Sequence, residues 1–242
     1  MSVPPVDLSC RADALERMDD LNCSGEVVHQ TLKELEFINR WLGGNKVTLD
    51  AVRKLILRGN PPSESLITVA DLGCGGGDIL KRIADIGRRH RIPMKLIGID
   101  ANPNIVDYAR NNCTGYSEIA FETTNVLSTE FARQSYDIII GTLFFHHFDN
   151  KTLTTLLTQL KGQVRVGLII NDIHRHWLAY HAIRLLTQLF SSSSMVKVDA
   201  PLSVQRAFTR KEWTALLAAS GIEGYSLKWK WAFRWKISIP GQ

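Results

Sequence analysis

The stretch Asp71-Leu-Gly73-Cys74-Gly75-Gly76-Gly77-Asp78 packs four glycines between two acids, after an apolar run and ahead of an amphipathic one. Glycine has no Cβ, so such a turn can bring backbone N–H groups against a ligand at a helix N-terminus. The next apolar run, Leu96-Ile-Gly-Ile-Asp100, ends in a carboxylate placed to accept hydrogen bonds from both hydroxyls of a ribose. A dinucleotide fingerprint carries glycine or alanine as the last residue of GxGxxG, where this chain has Asp78. A carboxylate there crowds and repels a pyrophosphate, which disfavours an NAD-dependent oxidoreductase and points to a cationic cofactor.

Further along, Leu143-Phe144-Phe145-His146-His147-Phe148 follows another apolar run. Imidazole exchanges protons near neutral pH, so His146 or His147 could act as base or orienting group for an acidic hydroxyl on an apolar ring. Replacing that histidine by Asn is then expected to lower turnover and remove an acidic limb from the pH profile. Phe144, Phe145 and Phe148 could wall an apolar acceptor cavity. Asn171 and Asp172 end the next apolar run, with His174, Arg175 and His176 beyond them. Asp172 reads as a helix N-cap. Arg175 could attract an anionic acceptor oxygen, Asn171 could orient it, and Arg206 is a second candidate for the same task.

These residues need a scaffold, and from Leu66 onward apolar runs alternate with amphipathic ones. Strands are expected at 66–72, 94–100, 119–123, 137–141 and 166–171, with helices between them. Asn102-Pro103 reads as the cap of one helix and Thr209-Arg-Lys-Glu212 as a capping box for another. Uniformly apolar strands such as Ile138-Ile139-Ile140 fit a parallel sheet covered on both faces. The fold class is therefore α/β, a Rossmann-like, doubly wound and mostly parallel sheet.

Large apolar residues at every second position from Leu227 to Ile239 add a C-terminal antiparallel hairpin. A helix is expected over 174–190, followed by a loop at Ser191 to Ser194. Ahead of the core, helical periodicity over 26–42 stops at Gly43, a shorter helix covers 49–58, and Asn60-Pro-Pro breaks the pattern. Residues 1–60 are read as a helical lid segment and 61–242 as the catalytic domain.

The 242 residues, 45% of them hydrophobic, suit one domain of this kind. The four cysteines show neither disulfide nor zinc-ligand spacing, so no metal site is expected. The N-terminus has no signal-peptide pattern and no run is long enough to span a membrane, so the expectation is a cytoplasmic protein. A net charge of +5 mildly favours anionic partners. Nucleic acid is nevertheless disfavoured: strand alternation accounts for the tryptophans of Lys228-Trp-Lys-Trp231, and no Asn-Pro-Pro-Tyr type motif is present. A small-molecule acceptor is the expected partner, and the oligomeric state stays open.

The acid before Gly73-Cys74-Gly75 resembles the first motif of the class I S-adenosylmethionine-dependent methyltransferases, and Asp100 resembles their ribose-binding acid. Asn125-Val126 and the segment from Asp137 to Phe148 stand where the same family has its third and fourth motifs. The resemblance implies that Asp71, Gly73, Cys74 and Gly75 hold the amino-acid part of the cofactor. It also implies that Asp100 and Ala101 hold the ribose and that Asn125 and Val126 hold the adenine. Gly141 and Thr142 are expected beside the cofactor as well, with Arg40 and Trp41 closing over the site from the N-terminal helix.

Glu34 to Gly43, Asn171 to His176 and Leu202 to Phe208 are similar to a narrower bacterial group. That group is related to quinone-biosynthesis methyltransferases and to those associated with type III polyketide synthases. It implies a small aromatic or polyketide-derived acceptor, methylated at oxygen or, alternatively, at carbon. A non-catalytic cofactor-binding protein is the remaining class, which turnover would exclude.

Overall fold

The structure, a computed structural model, describes residues 6–58 and 66–241. Strands Ile67–Leu72 (β1), Met94–Asp100 (β2), Ile119–Thr123 (β3), Tyr136–Thr142 (β4), Val164–Ile173 (β5), Ser226–Lys230 (β6) and Arg234–Pro240 (β7) form a seven-stranded sheet. Its order is β3-β2-β1-β4-β5-β7-β6. The first five strands pair in parallel, and β7 joins β5 antiparallel to complete a hairpin with β6. The expected Rossmann-like α/β sheet with its antiparallel C-terminal hairpin is thus observed.

Side chains alternate across each strand, which divides the apolar core in two. On β4, Ile139 joins Leu72, Ile99, Leu153, Leu157, Trp213 and Leu217, beneath helices Asn150–Gln163 (α6) and Arg210–Ala219 (α9). Ile138 and Ile140 join Val52, Ile56, Val69, Leu80, Ile83 and Val106 on the other face. There the cover is Gly44–Arg58 (α2), Asp78–His90 (α3) and Pro103–Asn112 (α4). Each fully buried Leu or Ile contributes about 1.5–3 kcal/mol, so the sheet is held from both sides. Strand order reverses at β1, whose neighbours are β2 and β4, and the carboxyl ends of such strands flank a ligand crevice.

Several boundaries differ from the sequence reading, each for a tertiary reason. The expected break at residue 60 lies outside the described residues. Helix α2 begins at Gly44 and buries Ala51, Val52 and Ile56 against the sheet, so it belongs to the core layer rather than to a lid. The N-terminal helix Glu26–Trp41 (α1) does lie over the crevice. Strand β5 runs on to Ile173 because β7 continues to pair with it, up to Ile173 opposite Arg234. The following helix, Trp177–Phe190 (α7), consequently starts late, and His176 caps it by accepting from the Leu178 N–H.

The serine run is a loop through Ser193 and ends in a helix start at Ser194. Ser193 caps a further helix, Ser194–Arg206 (α8), which buries residues around much of its circumference and so shows no single apolar stripe. In the hairpin, Trp235, Ile237 and Ile239 are buried. Trp229 and Trp231 are not, because β6 is an edge strand and Trp231 sits in its turn. Ala232 and Phe233 supply the left-handed backbone that a tight hairpin turn requires.

Candidate functional site

The loop after β1 puts Gly73, Cys74, Gly75 and Gly76 at the floor of a cavity of about 420 Å³. Gly73 has φ +64°, and a Cβ there would lie 2.4 Å from the Phe144 ring, so no other residue lets Phe144 rest on this loop. Leu143, left-handed at φ +56° and tied through its N–H to the Asn171 carbonyl, turns the chain out of β4 to bring Phe144 there. Two sequence-distant motifs thereby share one cavity wall.

Acidic groups dominate the deep end. Asp71 is fully buried, and burial together with the charges of Asp78 and Asp100 pushes its carboxyl well above the usual range. Burial and Glu36 raise Asp78, whose Oδ2 accepts from Asn45 Nδ2 at 2.7 Å. Asp100 is also raised, burial outweighing the N–H groups of Asn102, Gly75 and Ala101 that favour its charged form. Carboxylates crowded in this way are relieved by a cationic ligand, which fits a sulfonium and an ammonium and opposes a pyrophosphate.

Asp100 and Ala101 line the cavity together with Thr124, Asn125 and Val126. The Asn125 amide oxygen already accepts from the Leu127 N–H, and its second lone pair remains for a ligand. Thr142 lines the cavity and shares a hydrogen bond of 2.8 Å with Thr48. Gly141 does not line it: a Cβ there would meet the Phe145 ring at 2.5 Å, so this glycine serves core packing.

At the other end lie Leu143, Phe144, Phe148, His146 and His147. His146 is buried, with Nδ1 2.6 Å from Asp172 Oδ1. Burial alone would lower its pKa, but the charge and hydrogen bond of Asp172, joined by Glu16, raise it to about 9. That balance favours the protonated ring, so of the two candidate bases His146 is the less suited to accept a proton. Asp172 is its counter-charge, not a helix cap. His147 is part-exposed, and its Nδ1 is held 2.6 Å from Asp19 Oδ1, which leaves Nε2 for the cavity.

The residues before α1 supply the roof. Glu16, Met18, Asp19 and Leu21 line the cavity, and the segment is pinned where the Arg17 and Met18 N–H groups donate to Asp199. Asn102 Nδ2 also donates to the Cys23 carbonyl. Sequence reasoning passed over Glu16 and Asp19, which lie in a stretch without strong periodicity or motif.

Five expected acceptor contacts fall elsewhere. Phe145 is wholly buried against Trp213. Asn171 is buried and donates to the Gly44 carbonyl and Thr48. Trp41 is 71% exposed and lines a separate apolar groove with Phe37, Ile183 and Phe190. Arg40, expected near the cofactor, is likewise exposed and outside the cavity. Arg206 does not face an acceptor: its guanidinium donates to Asp19 and to the His146 and His147 carbonyls, fixing the turn that carries both histidines.

Arg175, the fifth acceptor candidate, is buried and spent on structure, with two donors on Glu212 and others on the Leu8 and Ala207 carbonyls. Arg175→Ala should cost about 3 kcal/mol by stranding Glu212 and those carbonyls. Urea unfolding checks this; an unshifted midpoint would mean that Arg175 is not the anchor described.

Methyltransferase domain is the family that matches residues 63–221. No curated protein sequence matches the chain. Among solved structures, the plantazolicin methyltransferase BamL, in complex with a desmethyl analogue and SAH, superposes with a TM-score of 0.61 at 16% identity. That match covers 82% of this chain and 70% of BamL. The magnesium protoporphyrin IX methyltransferase ChlM of Synechocystis PCC 6803, with bound SAH, gives 0.56 at 17% identity over 85% of this chain and 87% of its own. The DszA carbon methyltransferase gives 0.60 at 16% identity over 81% of this chain and 53% of its own. With the family match covering most of the chain and the cavity offering a cationic, ribose-bearing cofactor its partners, the chain belongs to the class I S-adenosylmethionine-dependent methyltransferases.

Proposed function

We propose that the protein methylates a hydroxyl oxygen of a small aromatic or polyketide-derived acceptor. The observation that carries this reading is the continuity of the cavity, from Asp100 and the glycine loop to His147 between Phe144 and Phe148. The sulfonium supplies an already activated methyl group, so the chain's task is to align the acceptor, remove its proton and exclude water. Asp71, Gly73, Cys74, Gly75 and Asp100 orient the cofactor. Phe144, Phe148, Met18 and Leu21 give the acceptor an apolar bed. His147 Nε2, aimed by Asp19 on Nδ1, takes the hydroxyl proton as the oxygen attacks the methyl carbon in line.

The N-terminal segment through α1 acts as the lid over both ligands, since Glu16, Asp19, Leu32 and Leu35 border the same cavity. A cytoplasmic location suits the free thiols of Cys74 and Cys113 and a cofactor made inside cells. No helix among the described residues is long and apolar enough to cross a membrane.

Carbon methylation of a quinone-like or polyketide acceptor is the second reading, favoured by the carbon methyltransferases DszA and CurJ among the similar folds. Incubation with S-adenosylmethionine and a panel of phenols, alkyl-resorcinols, pyrones and quinols, followed by mass spectrometry and NMR, tests both. The expected product gains one methyl group on oxygen. A methyl on carbon would select the second reading, and no product from any class would sink the first.

A further inference from the structure

Glu16, from the segment before α1, meets His146 and His147, from the turn after β4, at the cavity wall. A Glu16 carboxylate oxygen and one ring nitrogen of each histidine all lie within 4.8 Å of one another. Glu16 Oε1 is buried without a hydrogen-bond partner, whereas its Oε2 accepts from Ser203 at 2.8 Å. A buried carboxylate oxygen left in that state is costly and calls for a ligand.

One of the separations suits a shared cation. Oε1 stands 3.5 Å from His146 Nε2, longer than an ordinary N–H···O hydrogen bond. Two donor atoms about 2.0–2.1 Å from one tetrahedral cation lie about 3.3–3.4 Å apart. The far nitrogens agree: His146 Nδ1 is 2.6 Å from Asp172 and His147 Nδ1 is 2.6 Å from Asp19. Metal-bound histidines characteristically carry such a carboxylate, which fixes the tautomer and leaves Nε2 as the ligand. Asp172 is itself held by the His146 and Ile173 N–H groups.

We propose that Glu16 Oε1, His146 Nε2 and His147 Nε2 form a binding site for a divalent transition cation of the zinc class, its fourth position open to the acceptor cavity. Three carboxylates, of Glu16, Asp19 and Asp172, supply the negative charge there. They are opposed by Arg206, whose Nε lies 3.9 Å from Glu16 Oε1, and by Arg11, which donates to the His146 carbonyl. A cation there would be held by Nε2 of both histidines, whose Nδ1 atoms already face Asp172 and Asp19. A bound cation would supply Lewis acidity beside the acceptor, whereas the metal-free wall keeps His147 as the base, so the two are alternative states of one site. The site goes beyond the methyl-transfer reading and is testable without cofactor or acceptor.

The full-length protein, stripped of metal by chelation, is titrated with Co²⁺ and followed by visible absorption, then competed with Zn²⁺. One equivalent should give the d–d bands of tetrahedral nitrogen and oxygen coordination, without thiolate charge transfer, and Zn²⁺ should abolish them. Glu16→Gln and His147→Gln, each checked for fold by circular dichroism, should weaken binding by about tenfold or more. Absence of a saturable band at one equivalent would overturn the site. So would affinity unchanged in either folded variant, or bands that show thiolate ligation.

Discussion

Asp100→Ala is expected to lower the affinity for S-adenosylhomocysteine by about 1.5–3 kcal/mol, the range for hydrogen bonds to a charged partner. The carboxylate sits at the carboxyl end of β2, half-buried, with the N–H groups of Asn102, Gly75 and Ala101 turned toward it. It is thus held in one orientation before the ribose arrives. Removing it also relieves the repulsion that raises Asp71, so the ligand-free fold should not be weakened. Lost affinity would then report lost ligand contacts. Calorimetry on the folded variant is the measurement, and unchanged affinity would remove Asp100 from the ribose site.

His147→Asn carries the other large expected effect, a fall in methyl transfer of about 10²–10⁴-fold, the usual contribution of a positioned general base. Asn keeps polarity and approximate size but cannot take up the proton. Single-turnover rates with the acceptor identified by the product screen, beside calorimetry of S-adenosylhomocysteine, separate chemistry from cofactor binding. Loss of rate with affinity intact is the expected split. A variant as fast as the wild type would assign the reaction to alignment and desolvation alone. His146 is a poor partner for the same experiment. Its ring stands between Asp172 and Glu16, and removing it leaves two buried carboxylates without that partner.

The amino-acid sequence by itself determined what depends on local physics. Continuous apolar runs and helical patterns marked the five parallel strands and most helices, because burial on both faces of a sheet leaves a continuous apolar record. The Asn102 and Thr209 caps were legible because a capping side chain bonds to backbone only two or three residues away. The glycine loop and Asp100 were legible because a close-approach turn and a strand-end acid are each encoded within a few residues. The relation of His146 to Asp172 was not, nor was that of Glu16 to His147. These pairs join segments far apart in the chain, and no spacing rule connects them.

Arg175 and Arg206 show the same limit from the other side. A guanidinium near a site reads as an anion hook until the tertiary structure reveals which carbonyls and carboxylates have already claimed its donors. Helix α8 lacked a sequence signature because it is packed on several sides, which erases the amphipathic stripe. Only the tertiary structure decided which histidine is buried between Asp172 and Glu16 and which is part-exposed beside Asp19. Protonation is set by burial and by opposing charges, and those arrive only when the N-terminal segment folds across the carboxyl edge of the sheet.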